Sequence, residues 1–328
     1  MSSSARLSLL KLRLSSIGTL ALIIGLSTLF FIVVMGYLGV SLFFILPMVI
    51  IFNLLQWLFA PYLINAMYRV KELGEEHAVY QHIKRLSERM QIKMPKPMLA
   101  DIPIANAFAY GSPLTGNMVA VTTGMLKELE DEEVEAVVGH ELGHLRNRDV
   151  QIMMFASVLP AIFYWIYASM FWSGMYGGYR NRNGGGGYAM LIALASLAIY
   201  WVLSILIMGL SRAREYYADR RSVMVVEDGA RKLSEALAKI VSSSARLRMR
   251  KQVEAFRFDA FRALFIEDPE SSFRNEVALS HARIRSDERL VAEILERKLS
   301  LGDRIAEIFS THPNIVKRLR ALQQISAA

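Results

Sequence analysis

The sequence predicts a mainly helical membrane protein with four spans and a soluble part containing a small β-sheet. Three observations carry that reading. Of the 328 residues, 53% are hydrophobic and 21% charged, too apolar for an ordinary soluble protein and too charged for a chain lying wholly in lipid. Long stretches without Asp, Glu, Lys, Arg or His recur along the chain. Between them lie segments with helical or alternating apolar periodicity.

Between Arg13 and Arg69 there is no Asp, Glu, Lys, Arg or His. One span needs about 20 apolar residues, so this stretch holds two, expected at 16–36 and 41–63 with a break near Gly36-Tyr37-Leu38-Gly39. The apolar run continues far beyond the core of a cleavable signal peptide. Residues 150–179 and 183–211 are also uncharged, joined through Arg180-Asn181-Arg182-Asn183 and four glycines. A buried helical hairpin of a soluble domain is the alternative. Their length and the aromatic residues Trp165, Trp172, Tyr176, Tyr188 and Trp201 favour membrane.

Four spans put the N-terminus, residues 69–149 and residues 212–328 on one side. Arg6, Lys11 and Arg13 precede the first span, and Arg69, Lys71, Arg146, Arg148, Arg212 and Arg214 flank the others. Positive flanks stay inside, so both termini and the soluble part are expected to be cytoplasmic, in a multi-pass protein of the cell membrane; Arg180 and Arg182 dissent. These flanking residues also account for the net charge of +8 without nucleic acid, for which no motif is present. The expected units are an N-terminal transmembrane hairpin (1–68), a first soluble part (69–149), a second hairpin (150–211) and a second soluble part (212–328). The chain has no cysteine, which excludes disulfides, thiol nucleophiles and cysteine-ligated metal.

In the first soluble part, residues 72–91 read as an amphipathic helix carrying Leu73, Val79, Ile83 and Leu86, ended by Pro95 and Pro97. Residues 98–100, 106–110 and 118–122 read as strands. Asp131 offers an N-cap to a helix running towards Arg148, and Glu132 and Glu133 suit its positive end. After Ala230 the pattern is helical, with a polar break around Asp268-Pro269.

That helix contains His140-Glu141-Leu142-Gly143-His144. Residues four apart share a helix face, so both imidazoles can reach one ion, while Glu141 lies about 100° around, placed to take a proton from an activated water. A polar helix face is the bland alternative. Yet Val134, Val137, Val138, Leu142 and Leu145 make the helix largely apolar, where unpaired imidazoles and carboxylates are costly. A catalytic zinc needs a third protein ligand. Val150 occupies the position six residues past His144, which leaves Glu215, Asp219, Glu227, His281 and His312. An antiparallel hairpin returns Glu215 to the height of His144, and Asp219 lies four residues further on the same face. One of the pair can bind metal while the other orients an imidazole.

Several strings together resemble a known family: Asn106-Ala107-Phe108-Ala109-Tyr110-Gly111, Val121-Thr122-Thr123-Gly124-Met125-Leu126, the two-histidine motif, Ser211-Arg212-Ala213-Arg214-Glu215-Tyr216-Tyr217-Ala218-Asp219 and Ser310-Thr311-His312-Pro313. In this order, with a transmembrane hairpin between the two ligand motifs, they resemble the HtpX heat-shock membrane proteases, relatives of the CAAX prenyl proteases. The resemblance implies a gluzincin-like zinc metallopeptidase domain facing the cytosol, holding one Zn2+ per chain. His140, His144 and Glu215 would be ligands, Glu141 the general base and Asp219 a residue behind the ligands. His312 and Arg318 would stabilise the oxyanion, and Asn106, Ala107, Phe108 and Ala109 would form the edge strand that pairs with substrate. It implies protein substrates, damaged or surplus membrane proteins among them, and a lipid bilayer as surroundings. The competing readings are a narrow processing protease for lipidated or other specific substrates, and a catalytically silent membrane scaffold. Two features depart from the family: Arg146 stands two residues past His144, and the charged tract 243–301 matches no motif, reading as a helical insertion in preference to a lid or a substrate-selection element.

Overall fold

A computed structural model describes residues 42–177, 185–249 and 287–326. The expected first span, most of the loop around Arg180 and Arg182, the polar break at Asp268 and His281 lie outside the described residues.

The element order is α1 (Leu42–Met67), β1 (Lys71–Glu72), α2 (Ala78–Met90), β2 (Lys96–Ala100), β3 (Ala107–Ser112), β4 (Gly116–Thr122), α3 (Thr123–Glu128), α4 (Asp131–Arg146), α5 (Asp149–Gly177), α6 (Gly185–Val225), α7 (Gly229–Met249), α8 (Asp287–Glu296), α9 (Leu301–Ile308) and α10 (Ile315–Ser326). Among the described residues the structure is mostly helical with one small sheet, as expected. The sheet order is β1-β2-β4-β3: β2 runs parallel to β4, and β3 pairs antiparallel with β4 as an edge strand.

Alternation sorts the sheet residues onto two faces. Val119 and Val121 join Ile83 and Leu86 of α2, Val137 and Leu142 of α4, Leu237 of α7 and Leu319 of α10 in the main core. Phe108, Tyr110, Met118 and Ala120 point the other way and pack with Ile64 and Tyr68, at the end of α1. Tyr110 Oη donates to Asn65 Oδ1 at 2.6 Å, and Ser112 Oγ donates to the Leu58 carbonyl at 3.0 Å. Strand β3 therefore rests on α1.

Two boundaries differ from expectation. Helix α2 begins at Ala78, because Lys71 and Glu72 pair with Leu99 and Met98 as a strand and His77 Nδ1 caps the helix by accepting from Val79 N. It ends at Gln91, which adopts φ 55°, before either proline. Helix α4 is capped one residue earlier than expected: Glu133 Oε2 accepts from Glu130 N at 2.7 Å. Asp131 instead pairs with His82 Nε2 at 2.9 Å, tying α2 to α4.

Helix α6 has 41 residues, about 60 Å at 1.5 Å per residue and twice the hydrocarbon thickness of a bilayer. Its stretch Gly187–Val225 is long and apolar enough to cross a membrane, and only 22% of its most apolar window is buried. Tyr188, Leu191, Trp201, Val202 and Leu206 are exposed. From Ser211 onward the character reverses, and Arg214, Glu215, Ala218, Asp219 and Ser222 are buried. One continuous helix thus passes from an apolar, uncovered half into the folded domain.

There it lies close against α4. A Cβ on Gly143 would come within 3.2 Å of Ala218 Cα, and one on Gly139 within 3.0 Å of Ser222 Oγ, so the two glycines admit the close approach. Ser222 Oγ donates to the Ala136 carbonyl across the contact.

Candidate metal centre

The approach of α6 to α4 brings His140, His144 and Glu215 together. Their donor atoms lie within 4.8 Å of one another. His140 Nε2 and His144 Nε2 are 3.1 Å apart, Glu215 Oε2 is 3.5 Å from the first, and Glu215 Oε1 is 3.6 Å from the second.

Each imidazole turns its other nitrogen to a buried carboxylate. His140 Nδ1 lies 2.8 Å from Asp219 Oδ1, and His144 Nδ1 lies 2.7 Å from Asp149 Oδ2. This places the ring proton on Nδ1 and aims both Nε2 lone pairs at one point. The carboxylates are held in turn. Arg318 donates to Asp219 through Nε at 3.0 Å and Nη2 at 2.6 Å, and Arg214 Nη2 pairs with Asp149 at 2.8 Å.

The donors fit a divalent cation. Two facing lone pairs at 3.1 Å repel unless a positive charge sits between them. Glu215 Oε2 is buried and accepts no hydrogen bond among the described residues, with Arg318 Nη1 at 3.3 Å as a neighbouring charge. Burial disfavours a charged imidazole at His140, yet Asp219 and Glu215 push its pKa up to about 10, so the pocket favours positive charge. Two nitrogens and one carboxylate suit zinc.

Glu141 is 4% exposed and beside the ligands. Burial raises its pKa, and the neighbouring His144 and His140 pull it back. Its Oε2 accepts from the backbone N–H of Ala109 at 2.8 Å. This contact joins the two-histidine helix to the edge strand.

Of the remaining expected residues, His312 comes to the site, with Nδ1 3.5 Å from Glu215 Oε1. Arg318 does too: it is fully buried, bonded to Asp219 and 3.3 Å from Glu215. The expected strand residues divide by parity. Asn106 donates its N–H to Thr122 Oγ1 and its carbonyl accepts from Thr122 N, so its backbone is committed to the sheet. Alternation of the antiparallel ladder gives Phe108 the same inward backbone and leaves those of Ala107 and Ala109 facing out. Glu227 is absent from the donor group around His140 and His144.

Asp149 and Arg214 were not expected here. Arg214 reads in the sequence as a charge flanking a span, yet it is 3% exposed and spent on Asp149. The available signal was Asp149 itself, a carboxylate at the threshold of an uncharged run, five residues past His144. Asp149→Ala is expected to weaken zinc affinity about 10- to 100-fold by freeing the His144 ring. Competition against a chelating dye measures it, and unchanged affinity would remove Asp149 from the site.

Comparison with known proteins shows the family. Residues 74–326 match Peptidase family M48. The chain belongs to that family. This M48 peptidase is 34% identical to the protease HtpX homolog of Thermoplasma acidophilum, over 96% of this chain and 98% of that one. It is 36% identical to the protease HtpX homolog of Aeropyrum pernix, over 84% of this chain and 83% of that one. In three dimensions it resembles S. mikatae Ste24p with a TM-score of 0.51 and 16% identity, over 93% of this chain and 64% of that one, a likeness of fold. The chain is therefore a metalloprotease of the HtpX type, and the expectation of an enzyme holds.

Proposed function

We propose that this M48 peptidase is a four-span, membrane-integral zinc endopeptidase that cuts misfolded or surplus membrane proteins at the cytoplasmic face of the cell membrane. The observation that carries the reading is α6: the helix apolar enough to cross a bilayer also holds Glu215 and Asp219, so the site sits where that helix leaves the lipid. The basic flanks of the uncharged stretches favour the cytoplasmic side.

His140, His144 and Glu215 would hold the zinc, with Asp219 and Asp149 orienting the two rings. When bound, zinc supplies a Lewis acid for the peptide carbonyl and lowers the pKa of water. Glu141 takes the proton of the attacking water and returns it to the leaving amine. The outward backbone of Ala107 and the carbonyl of Ala109, whose N–H is held by Glu141, pair with an extended substrate, which suits broad specificity because main-chain hydrogen bonds do not read side chains. His312 faces the developing oxyanion. Arg318 works through Asp219 and Glu215 as a positioning residue.

The test is reconstitution in lipid vesicles with casein and a destabilised single-span protein as substrates. Both are expected to be cut, with a chelator stopping cleavage and zinc restoring it. Reporters following residue 71 and in the 180–187 loop should lie on opposite sides. Cleavage of casein alone would remove the membrane-protein role, and reporters on one side would remove the four-span topology.

A further inference from the structure

Helix α9 is amphipathic in the inverted sense. Its two acidic residues are engaged within the protein: Asp303 accepts from Ser300 N in the capping box and pairs with Arg297, while Glu307 accepts from Asn314 N and pairs with Lys317. Its apolar residues face outward. Leu301, Ile305, Ile308 and Phe309 are 76%, 58%, 43% and 56% exposed, and no residue of the helix is buried. At 100° per residue these four fall within about 100° of arc, a single continuous stripe. A folded domain gains nothing by turning its apolar face to water, so the stripe marks an interaction surface.

Its position identifies the occupant. Arg212 Nη1 donates to the carbonyls of Glu307 at 2.6 Å, Ile308 at 3.1 Å and Ser310 at 2.6 Å, binding the C-terminal end of α9 to α6. Arg212 directly follows Ser211, where the uncharged half of α6 ends. The end of the stripe is thus held at the level where α6 passes from its exposed apolar half to its polar half. Arg304, exposed and about 40° around the helix from Ile308, stands beside it as a cation for anionic headgroups.

We propose that α9 lies in the membrane interface, with Leu301, Ile305, Ile308 and Phe309 in the acyl–headgroup boundary. The inference rests on the reading of α6 as a span. It gives α9 a consequence for the site. The segment that follows carries His312, with Ser310 Oγ bonded to both the N–H and the carbonyl of His312. Lipid contact by α9 therefore sets the height of His312 above the bilayer.

The chain has no cysteine, so a nitroxide can be attached at single introduced cysteines in the full-length protein, reconstituted in vesicles of phosphatidylcholine and phosphatidylglycerol. Ile305→Cys and Phe309→Cys report the stripe, Arg304→Cys the polar edge, and Leu206→Cys the exposed flank of α6. The expected result is that labels at 305 and 309 collide with oxygen and are shielded from a water-soluble nickel chelate. Their accessibility ratio should exceed that at 304 several-fold and approach that at 206. If 206 is in lipid but 305 and 309 meet nickel as freely as 304, the interfacial helix is refuted and the span stands. Shielding of 305 and 309 from both reagents would refute it in favour of a protein cover, residues 250–286 or a second copy. If 206 itself meets nickel, the span fails and takes the inference with it.

Discussion

Replacing Glu141 with glutamine is expected to lower kcat/KM for peptide cleavage by about a hundred- to ten-thousand-fold while leaving zinc content unchanged. The two halves of the expectation rest on different atoms. Zinc retention depends on His140, His144 and Glu215, none of which is altered, and on Asp219 and Asp149 behind the rings. The amide oxygen of glutamine can still accept the Ala109 N–H that Glu141 Oε2 accepts at 2.8 Å, so strand β3 keeps its place beside α4. What the amide lacks is a basic oxygen to take a proton from water. Burial already raises the pKa of Glu141 from its ordinary value, towards the range in which a base takes a proton and returns it near neutral pH. Substrate binding should be little changed, because the glutamine oxygen keeps the Ala109 N–H as the carboxylate does and leaves the rest of the outward backbone of β3 unaltered. The loss should therefore appear in kcat far more than in KM. A glutamine variant that cleaves within a few-fold of the parent chain would show that another group accepts the proton.

Much of this site was legible in the sequence because helix periodicity is short-range. The i, i+4 spacing of His140 and His144 needs no tertiary knowledge, and the return of Glu215 follows from two uncharged stretches of similar length. The two strands also announced themselves, since 106–110 and 118–122 are β-type runs, whereas the place of the first at the sheet edge came only from the family resemblance. What was hidden depends on burial created by folding. Arg214 and Asp149 are separated by a helical hairpin, and only the packing of α5 against α6 makes them a buried pair. Arg318 is distant from Asp219 in sequence, and nothing in its local sequence marks it as fully buried. Strand β1 is two residues long and polar, below any periodic signal. The inverted face of α9 was invisible for a different reason: periodicity shows that a helix has two faces, never which of them meets the protein.

Arg318→Leu is expected to be the most destabilising single change near the site, and zinc should recover part of the loss. The guanidinium is fully buried, bonded twice to Asp219 and 3.3 Å from Glu215. Its removal leaves two buried carboxylates facing His140 with one balancing charge fewer, and breaking such a pair costs about 3–5 kcal/mol. Bound zinc supplies positive charge beside Glu215 and stabilises only the folded chain, so the thermal midpoint of the variant in detergent should rise more with added zinc than that of the parent. Arg318→Lys should rescue poorly, because a single ammonium cannot reproduce a bidentate contact while also meeting Glu215. The double variant Arg318→Leu, Asp219→Leu should lose less stability than the two single changes summed, since neither partner is then left as a buried unpaired charge. Additive losses would mean that Arg318 supports the fold through its packing and that Asp219 does not depend on it. A stability near that of the parent would mean that the carboxylates are balanced from elsewhere. A purely packing role predicts no zinc-dependent difference between Arg318→Leu and the parent, so the shift with zinc is the measurement that separates a charge holding the ligands in place from a side chain filling space.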